Sequence, residues 1–101
     1  MSTRSKGRRN ELKAKAILES LGYLVHLVDM PSRFKLEQDL FNMFDILALN
    51  KDELRWIQVT TNRLKPPAER ARLASFIGPG TKELWVFKDG VKEPRIILLG
   101  K

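Results

Sequence analysis

An α/β domain is what this sequence of 101 residues predicts, on three observations. A helical apolar stripe lies near the start, two strand-like apolar runs joined by a short polar connection fill the middle, and a proline-opened helical segment precedes two further strand-like runs. The order is α-β-β-β-α-β-β, within a single domain covering residues 1–101, because two domains would leave neither enough chain to bury a core.

From about Gly7 to Leu21, residues Ala14, Ile17, Leu18 and Leu21 recur at helical spacing and mark one buried stripe, with Gly22 suited to the helix C′ position. Three residues before Ala14 the same line reaches Glu11, which places a carboxylate on the inward side. Tyr23 to Val28 reads as a strand, and Asp29 to Asn42, with Pro31 and several charges, as a loop or irregular turn. The runs Met43 to Leu49 and Leu54 to Thr61 are expected to pair as a hairpin across Asn50-Lys51-Asp52-Glu53. Leu49 then faces Leu54, and counting outward sets Asp45 opposite Gln58, with Thr60 two residues further on the same face. Leu47, Leu49 and Trp56 share the Asp45 side, while Ile46, Ala48, Ile57 and Val59 take the other, so both faces of these strands should be covered. Pro66-Pro67 opens a second helix running to about Ile77, with Leu73, Phe76 and Ile77 as its packing edge, and Gly78-Pro79-Gly80 stops it. Glu83 to Phe87 and Arg95 to Leu99 flank Asp89-Gly90, a hairpin signal, and Pro94 suggests an edge strand.

Hydrophobic residues make up 43% and charged residues 31%, a globular balance, and no apolar run is long enough to cross a bilayer. The basic N-terminus leads into a charged helical pattern rather than an apolar signal segment, so the expectation is a cytoplasmic protein. Without cysteine there is no disulfide framework, thiolate nucleophile or thiolate zinc site. The formal net charge is +7, gathered in Arg4, Lys6, Arg8, Arg9, Lys13 and Lys15 and again from Arg63 through Lys65 and Arg70 to Arg72. A polyanion is the partner such a surface suits. Nucleic acid is expected rather than membrane, since the first helix has no Trp or Phe on its apolar side.

An acid inside an apolar strand is expensive without a purpose. Asp45 and Gln58, held about 5 Å apart across a strand pair, form a candidate cation site that Glu11 and the Val59 carbonyl complete. These are hard oxygen donors, suited to magnesium or manganese. His26, sharing a strand face with Leu24 and Val28, is expected to pack rather than bind, and Trp56 and Trp85 to serve as core aromatics.

At these residues the chain resembles the PD-(D/E)XK nuclease superfamily, and within it the archaeal-type Holliday-junction resolvases and related small nucleases. The resemblance rests on Lys6-Gly7-Arg8-Arg9-Asn10-Glu11-Leu12, Leu21-Gly22-Tyr23-Leu24-Val25, Phe44-Asp45-Ile46-Leu47-Ala48 and Ile57-Gln58-Val59-Thr60. It implies a restriction-endonuclease-like αβββαββ fold, with a central mixed sheet flanked by helices. It also implies a magnesium-dependent endonuclease acting on DNA, branched DNA included, and a homodimer. By position Glu11, Asp45 and Gln58 inherit the metal-holding roles. The chain departs from the family where a lysine usually follows the Glu-or-Gln by two residues: Thr60 stands there and carries no charge. Lys65, Arg63 and Lys35 are the cations in plausible reach to replace it. A catalytically degenerate nucleic-acid-binding module of the same fold is the alternative, and a subunit of a larger nucleic-acid machine a third.

Overall fold

The computed structural model describes residues 3–27 and 44–100, with side chains described in the first helix from Arg8 onward. The segment expected to be a loop from Asp29 to Asn42, and Lys35 with it, lies outside the described residues.

Helix α1 spans Thr3–Ser20 and is followed by strand β1, Leu24–Leu27, then β2, Ile46–Leu49, and β3, Leu54–Thr61. Helix α2, Pro67–Ala74, crosses over to β4, Thr81–Phe87, and β5, Arg95–Gly100, closes the series. The strands form one mixed sheet in the order β1-β2-β3-β4-β5. Only β3 and β4 run parallel, joined through α2, and the other pairs are antiparallel.

The pairing of β2 with β3 sets Leu49 against Leu54 and Ile46 against Ile57, the expected register. Asn50 makes the connection tight: its Oδ1 accepts from the Asp52 and Glu53 N–H groups, each at 2.8 Å, forming an Asx turn. Alternation along these strands then sorts the side chains into two cores. On one face Ala14 and Leu18 of α1 pack with Ile46, Ala48, Ile57, Val59, Trp85 and Phe87. On the other, Leu73 of α2 packs with Phe44 and Trp56, with Leu47, Leu54, Phe76 and Leu99 around them. Phe76 meets the Trp56 ring edge-on at 4.7 Å between centroids. Each tryptophan is buried in a core, as expected.

Several local expectations are corrected. Leu21 is 63% exposed, because α1 ends at Ser20 and the chain turns through Gly22 at φ +94°. The second helix stops at Ala74, with Ser75 and Phe76 bonding back to Ala71 and Leu73, so Ile77 lies beyond it and is 97% exposed. His26 is exposed on β1 rather than packed. Asp89-Gly90 does form a turn, with the Val91 N–H bonded to the Lys88 carbonyl, but inside a longer connection from Phe87 to Arg95. No helix among the described residues is long and apolar enough to cross a membrane.

Candidate metal and nucleic-acid site at one end of the sheet

β3 and β4 finish together, with Thr61 beside Phe87. Because β2 is antiparallel to β3, its first residues lie at that same end. Asp45, immediately before β2, is therefore set beside the last residues of β3. Its backbone N–H donates to the Ile57 carbonyl at 2.9 Å, and its carboxylate Oδ2 accepts from the Val59 N–H at 2.8 Å. The carboxylate thus does the work of a strand residue, satisfying a backbone donor at the point where β2 begins. Asp45 is 6% exposed, which makes that bond energetically necessary.

Gln58 is half-buried and Thr60 buried. By alternation from Leu54 and Trp56 both belong to the α2 side of the sheet. Glu11 is carried by α1, which covers the opposite side, and Arg8 Nη1 lies 3.3 Å from its Oε1. Asp45, Gln58, Val59 and Thr60 are thus brought together at one sheet end, and Glu11 is carried to that end on the helix across the sheet. Among the described residues no three His, Cys, Asp or Glu side chains form a group able to hold a metal.

Asn10 ties α1 to the last residue of β3. It is 6% exposed, and its Nδ2 donates to Thr61 Oγ1 at 2.8 Å. Counting back from Ala14 by three reaches Glu11, whereas counting by four reaches Asn10. The 3.6-residue period permits both, and the buried line of the helix runs through the second. Asn62 follows at φ +62°, a left-handed conformation that asparagine tolerates better than most residues. Its N–H donates to the Phe87 carbonyl at 2.7 Å, its Oδ1 accepts from the Asp89 N–H at 2.9 Å, and its Nδ2 donates to Asp89 Oδ2 at 2.9 Å. An asparagine at the close of a strand is the sequence signal that would have pointed to this clamp.

The expected phosphate-contacting residues flank this end. Arg4 and Lys6 fall in α1, ahead of the described side chains. Arg8 is half-buried against Glu11, while Arg9 and Lys13 are exposed. Arg63 is exposed just past β3, Lys65 Nζ lies 3.7 Å from Glu69, and Arg70 Nε donates to the Lys65 carbonyl at 3.0 Å. That last bond folds the chain between β3 and α2 back on itself.

A second polar cluster lies at the other end, where β3 and β4 begin. Arg55 Nε and Nη2 donate to Glu83 Oε2 and Oε1 at 2.8 and 2.6 Å, a bidentate ion pair. Thr81 Oγ1 and Trp85 Nε1 donate to the same carboxylate, at 2.5 and 3.0 Å. The Arg55 guanidinium also stacks over the rings of Tyr23 and Trp85. Burial pushes the Glu83 carboxyl up, but the hydrogen bonds from Arg55, Thr81 and Trp85 and the Arg55 charge outweigh it, so its pKa is lowered. The hydrogen bonds to Glu83 push Arg55 above its ordinary value, against its own burial. Tyr23 is raised by its hydrogen bond to Glu53. With four donors on one carboxylate, this cluster is saturated and structural in character.

Comparison with known proteins gives no match to any protein-family model and none to a curated protein.

Proposed function

We propose that this chain is a nucleic-acid-binding domain of the PD-(D/E)XK nuclease type that hydrolyses DNA phosphodiester bonds with a divalent metal. Branched DNA is the substrate class, and a homodimer the assembly, that this kinship implies. The observation that carries the reading is Asp45, a buried carboxylate fixed on the Val59 N–H beside Gln58, at the sheet end flanked by the basic segments. The element order α-β-β-β-α-β-β and the mixed sheet with a helix on each face support it, since the resemblance implies that arrangement.

The donors suit the proposed ion. Magnesium is commonly held by one or two carboxylates, with water and substrate phosphate filling the remaining positions. Asp45, the Gln58 amide oxygen and the Val59 carbonyl would hold magnesium or manganese, and Glu11, on the helix that covers the other face of the sheet, takes its place as second carboxylate from the resemblance alone. When bound, such an ion activates water and neutralises charge building on the phosphate. Thr60 orients water at most. Arg8, Arg9, Lys13, Arg63, Lys65 and Arg70 position the phosphate backbone without reading sequence.

One observation favours a second reading. Thr60 is neutral and 8% exposed where a catalytic cation would stand, and the Asp45 carboxylate already serves the backbone. On that reading the chain binds nucleic acid and does not cleave it. Incubating four-way junction, flap, single-stranded and linear duplex DNA with and without magnesium or manganese separates the two. Metal-dependent cleavage by the wild type that is lost in Asp45→Asn, with binding retained, supports the nuclease. Salt-sensitive binding without turnover under every metal selects the silent module. Absence of binding to all four DNAs removes both.

A further inference from the structure

We propose that Asn10 is the positioning residue that sets the basic half of α1 over the end of the sheet, an inference that rests on the nucleic-acid-binding reading above. The buried side chains of α1 among those described are Asn10, Ala14 and Leu18, one turn apart. Ala14 and Leu18 fasten the later part of the helix to the apolar core. One turn ahead of Ala14, Asn10 Nδ2 donates to Thr61 Oγ1, a part-buried bond between residues 51 apart in sequence. Arg8, Arg9 and Lys13 all lie within three residues of Asn10.

The chemistry of that contact decides what it does. Ala14 and Leu18, fully buried one turn apart, set which face of α1 meets the sheet. A hydrogen bond holds its partners to a short distance and a narrow angle. Asn10 therefore extends that fastening one turn toward the helix start and holds the backbone that carries the arginines beside it at the end of β3. Its partner is itself held, because Thr61 pairs with Phe87 and is followed by Asn62, which is bonded to both Phe87 and Asp89. Arg63 lies two residues beyond Thr61. One side-chain bond thus joins two basic segments, distant in sequence, into a single phosphate-facing surface.

The test uses Thr61→Val, which keeps the shape of the side chain and loses the acceptor, Thr61→Ser, which keeps the acceptor, and Asn10→Ala. Binding of each to a linear DNA duplex is followed by fluorescence anisotropy over a range of salt, with circular dichroism confirming the fold. Thr61→Val and Asn10→Ala should each weaken binding about threefold to tenfold, the worth of one hydrogen bond. The slope of log affinity against log salt should shrink by roughly 0.9 for each phosphate contact released. The double variant should be no weaker than either single one, because both remove the same bond, and Thr61→Ser should match the wild type. A merely structural bond would lower the melting temperature and leave the slope untouched. If Thr61→Val does not fold, Asn10→Ala alone carries the comparison. Wild-type affinity and slope in the folded variants overturn the positioning role while the nucleic-acid reading stands. A wild type that does not bind the duplex overturns both.

Discussion

Replacing Glu83 with alanine removes the centre of the buried cluster at the start of β3 and β4. Its carboxylate accepts from Arg55 twice, from Thr81 and from Trp85, and the side chains of the ion pair are 15% and 5% exposed for Arg55 and Glu83. Glu83→Ala strands the guanidinium and two neutral donors together. Breaking a buried ion pair by deleting one partner costs about 3–5 kcal/mol, mostly the penalty of an uncompensated charge. A chain of this length has roughly 5–15 kcal/mol of stability in all. At about 4–8 °C per kcal/mol, the melting temperature should fall by at least about 12 °C. Thermal unfolding followed by circular dichroism measures it. The companion variant Arg55→Met with Glu83→Leu removes both charges and should recover most of the loss, since well-packed apolar replacements of a buried pair are often neutral. A fall of less than about 4 °C in Glu83→Ala, or a double variant as unstable as the single one, would refute the account of the cluster as a saturated ion pair.

Other expectations follow from the same structure. Because the folded pKa of Glu83 is lowered, its stabilisation is fully present above its ordinary value of 4.5 and is lost as pH falls through the folded pKa. Urea titrations across the acid range should show this loss in the wild type and a smaller one in Glu83→Gln. Asp45→Ala should cost about 1–3 kcal/mol by leaving the Val59 N–H unsatisfied, whereas Asp45→Asn keeps an acceptor and should unfold close to the wild type in urea. Gly80→Ala should destabilise by at least roughly 1–3 kcal/mol, the cost of a strained φ alone. Gly80 sits at φ +97°, and a Cβ there would lie 2.1 Å from the Leu54 carbonyl oxygen, a clash that adds to the loss and is measurable by chemical denaturation. Leu18→Ala should cost about 2–5 kcal/mol, since Leu18 is fully buried between α1 and the sheet, and the fall in melting temperature reports it.

The parts of this architecture that depend on neighbours in the chain were legible in the sequence. Alternation and a short polar connection were enough to place Leu49 against Leu54 and to divide Leu47 and Trp56 from Ile46, Ala48, Ile57 and Val59. Proline marked the start of α2 and glycine the end of α1. What escaped depends on contacts between distant segments. The Arg55–Glu83 pair exists because β3 and β4 run parallel with Ile57 beside Glu83, a register that α2 and the loops around it set and no local pattern announces. Asn10 escaped because helical periodicity offers two neighbouring positions, and the match to Thr61 decides between them. Asp45 stands out in the sequence as an unusual acid, but its bond to the Val59 N–H depends on β2 starting at Ile46, just after it, rather than earlier in the run expected from Met43.

The two polar clusters lie at opposite ends of the same pair of strands, and this has a consequence for how such a chain can change over generations. The Arg55–Glu83 pair secures the end where β3 and β4 begin, and the bonds of Asp45, Asn10 and Asn62 secure the end where they finish. The side chains of Gln58 and Thr60 belong to neither set of bonds, so a replacement at either position leaves those fastenings in place. On the proposed reading, two descendants of this sequence that differ at position 58, one cutting and one only gripping nucleic acid, would keep the same fastenings at both ends of these strands.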